Sequence, residues 1–160
     1  MHADKLDQID LEILKILQLN GRTKRNELAE RVGLTNPAIS DRLRKLEQHG
    51  VIQKYTTIVD AEKVQLGVMA FIFVMVESST YFQQVIVNAE KHDEILECHA
   101  VTGGGSHLLK VRTQSTITLE KLLSQIQAWE GVKNTITNVV LSSPKETTAL
   151  PLDHLLANPN

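Results

Sequence analysis

Residues 35–50, TNPAISDRLRKLEQHG, decide how this chain is read. Thr35 is a good N-cap, because its hydroxyl can accept one of the orphan N–H groups of a first helical turn. Pro37 lies just inside that turn, where its missing N–H costs nothing. Ile39, Leu43 and Leu46 recur at helical spacing along one face, and Gly50 is a natural stop. The opposite face carries Ser40, Asp41, Arg44, Lys45 and Gln48, all able to bond base edges or phosphates. Such a helix is suited to a groove of DNA.

The residues upstream complete a motif. Residues 7–20 read as an amphipathic helix with Ile9, Ile13, Leu14, Ile16 and Leu17 among its apolar positions. Thr23 is placed to cap a short helix over 24–32, with Leu28, Ala29 and Val32 inward, and Gly33 and Leu34 make a tight turn into the next helix. Two short helices joined through glycine behind a supporting first helix describe a helix-turn-helix. The plainer alternative is a small helical core whose polar face is only solvated. Charge decides against it: positions 15–45 hold eight Lys or Arg and three acids, a local excess of five positive charges in a chain of net charge −2. Double-stranded DNA is the expected partner. The residues expected to contact it are Lys24, Arg25, Thr35, Asn36, Ser40, Asp41, Arg42, Arg44 and Lys45.

The chain of 160 residues has room for one ordinary domain or two small ones, and 42% hydrophobic with 22% charged residues is a globular composition. No apolar run reaches the length of a bilayer span, and MHADKLDQID at the start lacks the apolar core of a signal peptide or anchor. The single cysteine, Cys98, cannot make an internal disulfide, which suits a cytoplasmic location. His92, Cys98, His99 and His107 match no standard ligand spacing, and no nucleophile elbow or acid–base pair is recognisable. No metal, cofactor or enzymatic activity is therefore expected.

Residues 1–60 hold ten bases and nine acids, whereas 61–160 hold seven bases and ten acids, so the basic surface belongs to the N-terminal part. The expected division is a helix-turn-helix domain over 1–54, an extended linker over 55–66, and a second domain with a C-terminal tail over 67–160. Residues 51–59, VIQKYTTIV, are rich in β-branched side chains and read as the wing and exit strand, and 60–66 as a turn. The apolar run GVMAFIFVMV at 67–76 predicts a central strand. Ser78, Ser79 and Thr80 offer a cap for a helix over about 81–91, with Phe82, Val85, Ile86 and Ala89 on one face. Strands follow at 95–101 and 106–113, separated by Gly103, Gly104 and Gly105. A helix over 118–129, with Leu119, Leu122, Leu123, Ile126 and Trp129 inward, precedes a fourth strand at 132–141.

The order β-α-β-β-α-β is the ferredoxin-like arrangement, so the fold class is α+β: a winged helix-turn-helix followed by a ferredoxin-like domain. Two helices cover one face of such a sheet. The other face of an apolar central strand calls for a second copy of the chain, and a two-fold dimer would present two recognition helices. The tail TTALPLDHLL at 147–156 is apolar enough to dock, either as an assembly contact or over its own domain.

The chain resembles the Lrp/AsnC family of transcriptional regulators along almost its whole length. LDQIDLEILKILQLNGR, NELAERVGLT, ISDRLRKLEQHGVIQKY, LGVMAFIFV, ILECHAVTG, LLKV, GVKNTITNVVL and KETTALPL carry the likeness in order and spacing. The resemblance implies a regulator that binds amino acids between subunits of its ferredoxin-like domain and assembles as dimers, often joined into octamers. By the same resemblance Gly103, Gly104, Gly105, Ser106, Thr135 and Thr137 are the expected effector residues. The loop departs from the family's Asp-Tyr-Asp-Tyr pattern, because Thr102-Gly103 is followed by Gly104-Gly105-Ser106-His107 and both acids are gone. A plain hairpin at this loop and ordinary β-propensity at the threonines stay open. So does an oligomeric DNA-organising protein that needs no effector.

Overall fold

Asp7 starts the first helix, α1 (Gln8–Leu19), with a capping box: its carboxylate accepts from the Asp10 N–H at 2.8 Å, and the Asp7 N–H donates to Asp10 at 3.2 Å. In this computed structural model, which describes residues 6–156, α2 (Arg25–Val32) and α3 (Asn36–Gln48) follow. Gly33 ends α2 in the left-handed region (φ 69°, ψ 34°), a conformation glycine adopts without Cβ strain, and so turns the chain sharply into α3. Ile13, Leu28, Ile39, Leu43 and Leu46 close a core between the three helices. Thr23 does not cap α2: its hydroxyl donates to the Asn20 carbonyl at 2.7 Å, and Lys24 holds the cap position with no side-chain bond.

Residues 53–60 run without helix or strand, so the expected wing strand does not form. β-branched residues favour a strand only where a neighbour takes their backbone groups, and no strand pairing among the described residues reaches this segment. Tyr55 instead returns to α3, donating its hydroxyl to Glu47 at 2.9 Å. Burial, and then the Glu47 carboxylate, push the Tyr55 phenol up to about 12.

The second unit is built from β1 (Val68–Val76), α4 (Phe82–Ala89), β2 (Ile95–Ala100), β3 (His107–Thr113), α5 (Thr116–Gln127) and β4 (Val132–Val139). The four strands form one antiparallel sheet in the order β2-β3-β1-β4, which is the ferredoxin-like topology. Ala70, Ile72 and Val74 of β1 alternate toward a core shared with Leu109, Val111, Val85, Leu122 and Ile126. One sheet face is thus covered by both helices. Helix α5 starts two residues earlier than its pattern suggested, because Ser115 forms a capping box with Thr118. Phe82, expected inward, remains 38% exposed and lays its ring edge-on against His107 at 5.1 Å between centroids.

The chain divides into two units, Val59–Pro144 and the segments on either side of it. The expected division placed the tail with the ferredoxin-like domain, whereas from Lys145 the chain belongs with the helices. Leu152 packs on the helical core, Gln18 bonds the Leu150 backbone, and Lys15 meets Asp153 at 2.8 Å.

Candidate nucleic-acid interface and effector loop

Thr35 caps α3 as its sequence suggests, with its hydroxyl accepting from the Ala38 N–H at 3.4 Å. Burying Ile39, Leu43 and Leu46 turns Ser40, Asp41, Arg44 and Lys45 outward, and Lys24, Arg25 and Asn36 are exposed. Arg25 of α2 joins Ser40, Asp41, Arg44 and Glu47 around a hollow of about 470 Å³ between the two helices. Four expected DNA contacts therefore converge on one surface. Asp41 lies at its centre, bonded to Arg44 and, at 2.9 Å, to Lys45. Lys45 and then Arg44 hold the Asp41 carboxyl below its ordinary range. These ion pairs are exposed and weak, so DNA can compete for both cations.

Arg42, also among the expected DNA contacts, is engaged within the helical unit. Its guanidinium reaches Asp10 and Asp7 at 2.7 Å each, tying α3 to the first turn of α1. The Asp10 bond, against some burial, raises the Arg42 pKa. In sequence, the i, i+1 step from Asp41 to Arg42 already moves the side chain about 100° around the helix. Asp7 and Asp10, unremarked in the sequence, could have been found as acids in a first turn.

In the second unit the loop between β2 and β3 folds back on β1. Ser106 donates to the Val74 carbonyl twice, from its N–H at 2.9 Å and from its hydroxyl at 3.0 Å. The same hydroxyl lies 3.0 Å from His107 Nδ1, which must then carry the ring proton and leave Nε2 as an acceptor. His107 is buried, Nε2 has no hydrogen-bond partner among the described residues, and burial lowers its pKa. A Cβ at Gly105 would lie 3.1 Å from the Val74 carbonyl, while one at Gly104 would meet open space.

Thr135 pairs with Val74 across β1 and β4, and Thr137 pairs with Ile72. Opposed residues share a face, so both threonines point to the helix-covered side. Thr135 there accepts from Gln127 of α5 at 3.0 Å. Ser106 and Thr135 thus flank the same residue of β1, and Gly103 and Thr137 extend the group along the loop and strand. Phe71, Phe73, Leu108 and Ile136 lie on the other face, where Ile136 is 49% exposed. No cluster of His, Cys, Asp or Glu fit for a metal occurs among the described residues, and no helix there is long and apolar enough to cross a membrane.

Comparisons with known proteins bear on both surfaces. Residues 6–53 match the winged helix-turn-helix DNA-binding profile, and residues 69–150 match the Lrp/AsnC ligand binding domain. The chain is 40% identical to the HTH-type transcriptional regulator FL11 of Pyrococcus horikoshii, over 92% of this chain and 97% of that protein. It is 34% identical to the leucine-responsive regulatory protein of Escherichia coli, over 91% and 90%. A transcriptional regulator of Neisseria meningitidis solved in complex with L-Met superposes with a TM-score of 0.90 at 34% identity, covering 94% of this chain and 99% of that one.

Proposed function

The chain belongs to the Lrp/AsnC family of transcriptional regulators, and from that premise we propose that it is a sequence-specific DNA-binding regulator whose activity responds to a neutral amino acid held between subunits. That it is a DNA-binding regulator with a ligand-binding domain, and not an enzyme, follows from the family. The arrangement of α3 carries the specific reading. Arg44 and Lys45 read bases and hold phosphate, Ser40 and Asp41 add polar contacts, and Lys24, Arg25, Thr35 and Asn36 hold the flanking backbone. Arg42 positions α3 from behind. The cytoplasm, where such a regulator meets the chromosome, is its place of action.

The apolar strip Phe71, Phe73, Leu108 and Ile136 supports assembly through the open sheet face into a dimer, and dimers can join further. The effector reading rests on Ser106 and Thr135 flanking Val74 of β1, with Gly103, Gly104 and Gly105 in the adjoining loop and Thr137 two residues further along β4. Backbone groups and hydroxyls can satisfy a carboxylate and an ammonium there without a formal charge. Charged side chains are disfavoured, because an unpaired buried charge is expensive.

Calorimetric titration of L-methionine, L-leucine and other neutral amino acids tests this. The open space at Gly104 lets Gly104→Asp restore a family-like acid without a clash. Binding by the wild type supports the effector reading. No binding by the wild type, with binding gained in Gly104→Asp, makes the chain an effector-independent DNA organiser.

A further inference from the structure

The C-terminal segment is held on the helical unit at several points. Gln18 reads the backbone of Leu150 with both ends of its amide: Leu150 N–H donates to Oε1 at 2.6 Å, and Nε2 donates to the Leu150 carbonyl at 3.2 Å. Lys15, three residues back and hence on the same helical face, meets Asp153 at 2.8 Å. Asp153 lies below its ordinary carboxyl range because of Lys15. Leu152, between them, packs against the core that includes Ile13, Leu28 and Leu43, and a short turn (Asp153–Leu155) closes the segment.

Backbone recognition and a charge partner lie on one face of α1, and an apolar anchor between them packs on the core that α1 shares with α2 and α3. We propose that this face of α1 is a docking surface for the chain's own residues 150–156, and that the strap so formed is an integral part of the DNA-binding unit. The strap acts on the reading helix through α1. The first turn of α1 holds Arg42 through Asp7 and Asp10, and its apolar face shares a core with Ile39 and Leu43. Residues 140–149 lead from β4 to the strap along the chain. The ligand-binding unit therefore connects to the DNA-binding unit by two covalent routes, one at each of its ends.

Hydrogen exchange of the full-length protein tests the strap without requiring DNA or effector. Leu152→Asp puts a charge where the anchor packs, Gln18→Ala removes the backbone clamp, and Leu152→Met keeps an apolar anchor. Amides of α1 should exchange about fivefold faster in the first two variants, as expected for loss of a partly buried leucine or a paired amide. They should match the wild type in Leu152→Met, while β1–β4 amides stay unchanged in all three. Unchanged α1 protection in both disruptive variants would overturn the proposal. So would equal acceleration in the sheet, which would mark general destabilisation instead.

Discussion

Replacing Arg42 by alanine separates a brace from a DNA contact, because the two roles predict different losses. The Arg42 side chain is 27% exposed, Asp10 16% and Asp7 50%. The bond to Asp10 is therefore partly desolvated, whereas the one to Asp7 is close to an ordinary surface pair. Losing a hydrogen bond to a charged group costs about 1.5–3 kcal/mol, and an exposed ion pair adds about 0–1 kcal/mol. Discounted for partial exposure, Arg42→Ala should destabilise the helical unit by about 2 kcal/mol, or roughly 30-fold in its opening equilibrium.

Hydrogen exchange of α1 and α3 amides is the suitable assay, since a chain of two units has no single unfolding free energy. The pH dependence provides a second arm. Burial opposes ionisation of Asp7, but the Asp10 N–H and then Arg42 outweigh it and lower its pKa below 3.8. A group whose folded pKa is depressed stabilises the fold above its unfolded value and loses that contribution as pH falls through the folded one. The wild type should thus lose protection in acid more steeply than Arg42→Ala. Unchanged exchange in α1 and α3, together with a salt dependence of DNA binding reduced by about one unit, would refute the brace and return Arg42 to the phosphate contacts.

Gly131 has φ 78°, and a Cβ there would lie 2.1 Å from Tyr81 Cγ; Gly131→Ala should cost the sheet unit about 2 kcal/mol or more, measured as exchange of β4 and β1 amides. His107, buried with Nε2 unpartnered among the described residues, resists protonation in the folded state, so the unfolded chain binds the extra proton below pH about 6.5 and stability falls as pH drops through that window. His107→Leu should flatten this slope in thermal melts between pH 8 and 5, and a slope equal to that of the wild type would exclude His107 as its source. Asp41→Asn frees Arg44 and Lys45 from their shared acid, so binding to unrelated duplexes should tighten while preference for a site selected from random DNA narrows. Equal tightening on both DNAs would reduce Asp41 to a repulsive charge.

Much of this was legible in the sequence where one short stretch contains its own cause. Thr35, Pro37 and the Ile39/Leu43/Leu46 stripe specify α3 locally, and Gly33 specifies the turn before it. The order of strands and helices was legible for the same reason, since the apolar run FIFVMV and the alternating HLLKVRT mark strands by their own residues. What escaped depends on partners distant in sequence. Residues 51–59 have strand propensity but no strand to pair with, and the ion pairs of Arg42 depend on Asp7 and Asp10, more than thirty positions away. The tail could be seen as apolar, but its receptor is Gln18, 132 positions away.

If α3 reads DNA through its outer cations, binding isotherms of Arg44→Ala and Lys45→Ala at several salt concentrations will report it. Labelled duplexes from a selected site and from random sequence, followed by fluorescence anisotropy, give affinity, specificity and salt slope together. The substitution that removes a bidentate base contact should cost about 1–3 kcal/mol on the selected site and relax preference at that base. The one that removes a phosphate contact should weaken both duplexes alike and lower the salt slope by about one unit. Wild-type affinity and slope in both variants would contradict the account, because the outward face of α3 would then not be the DNA-binding surface.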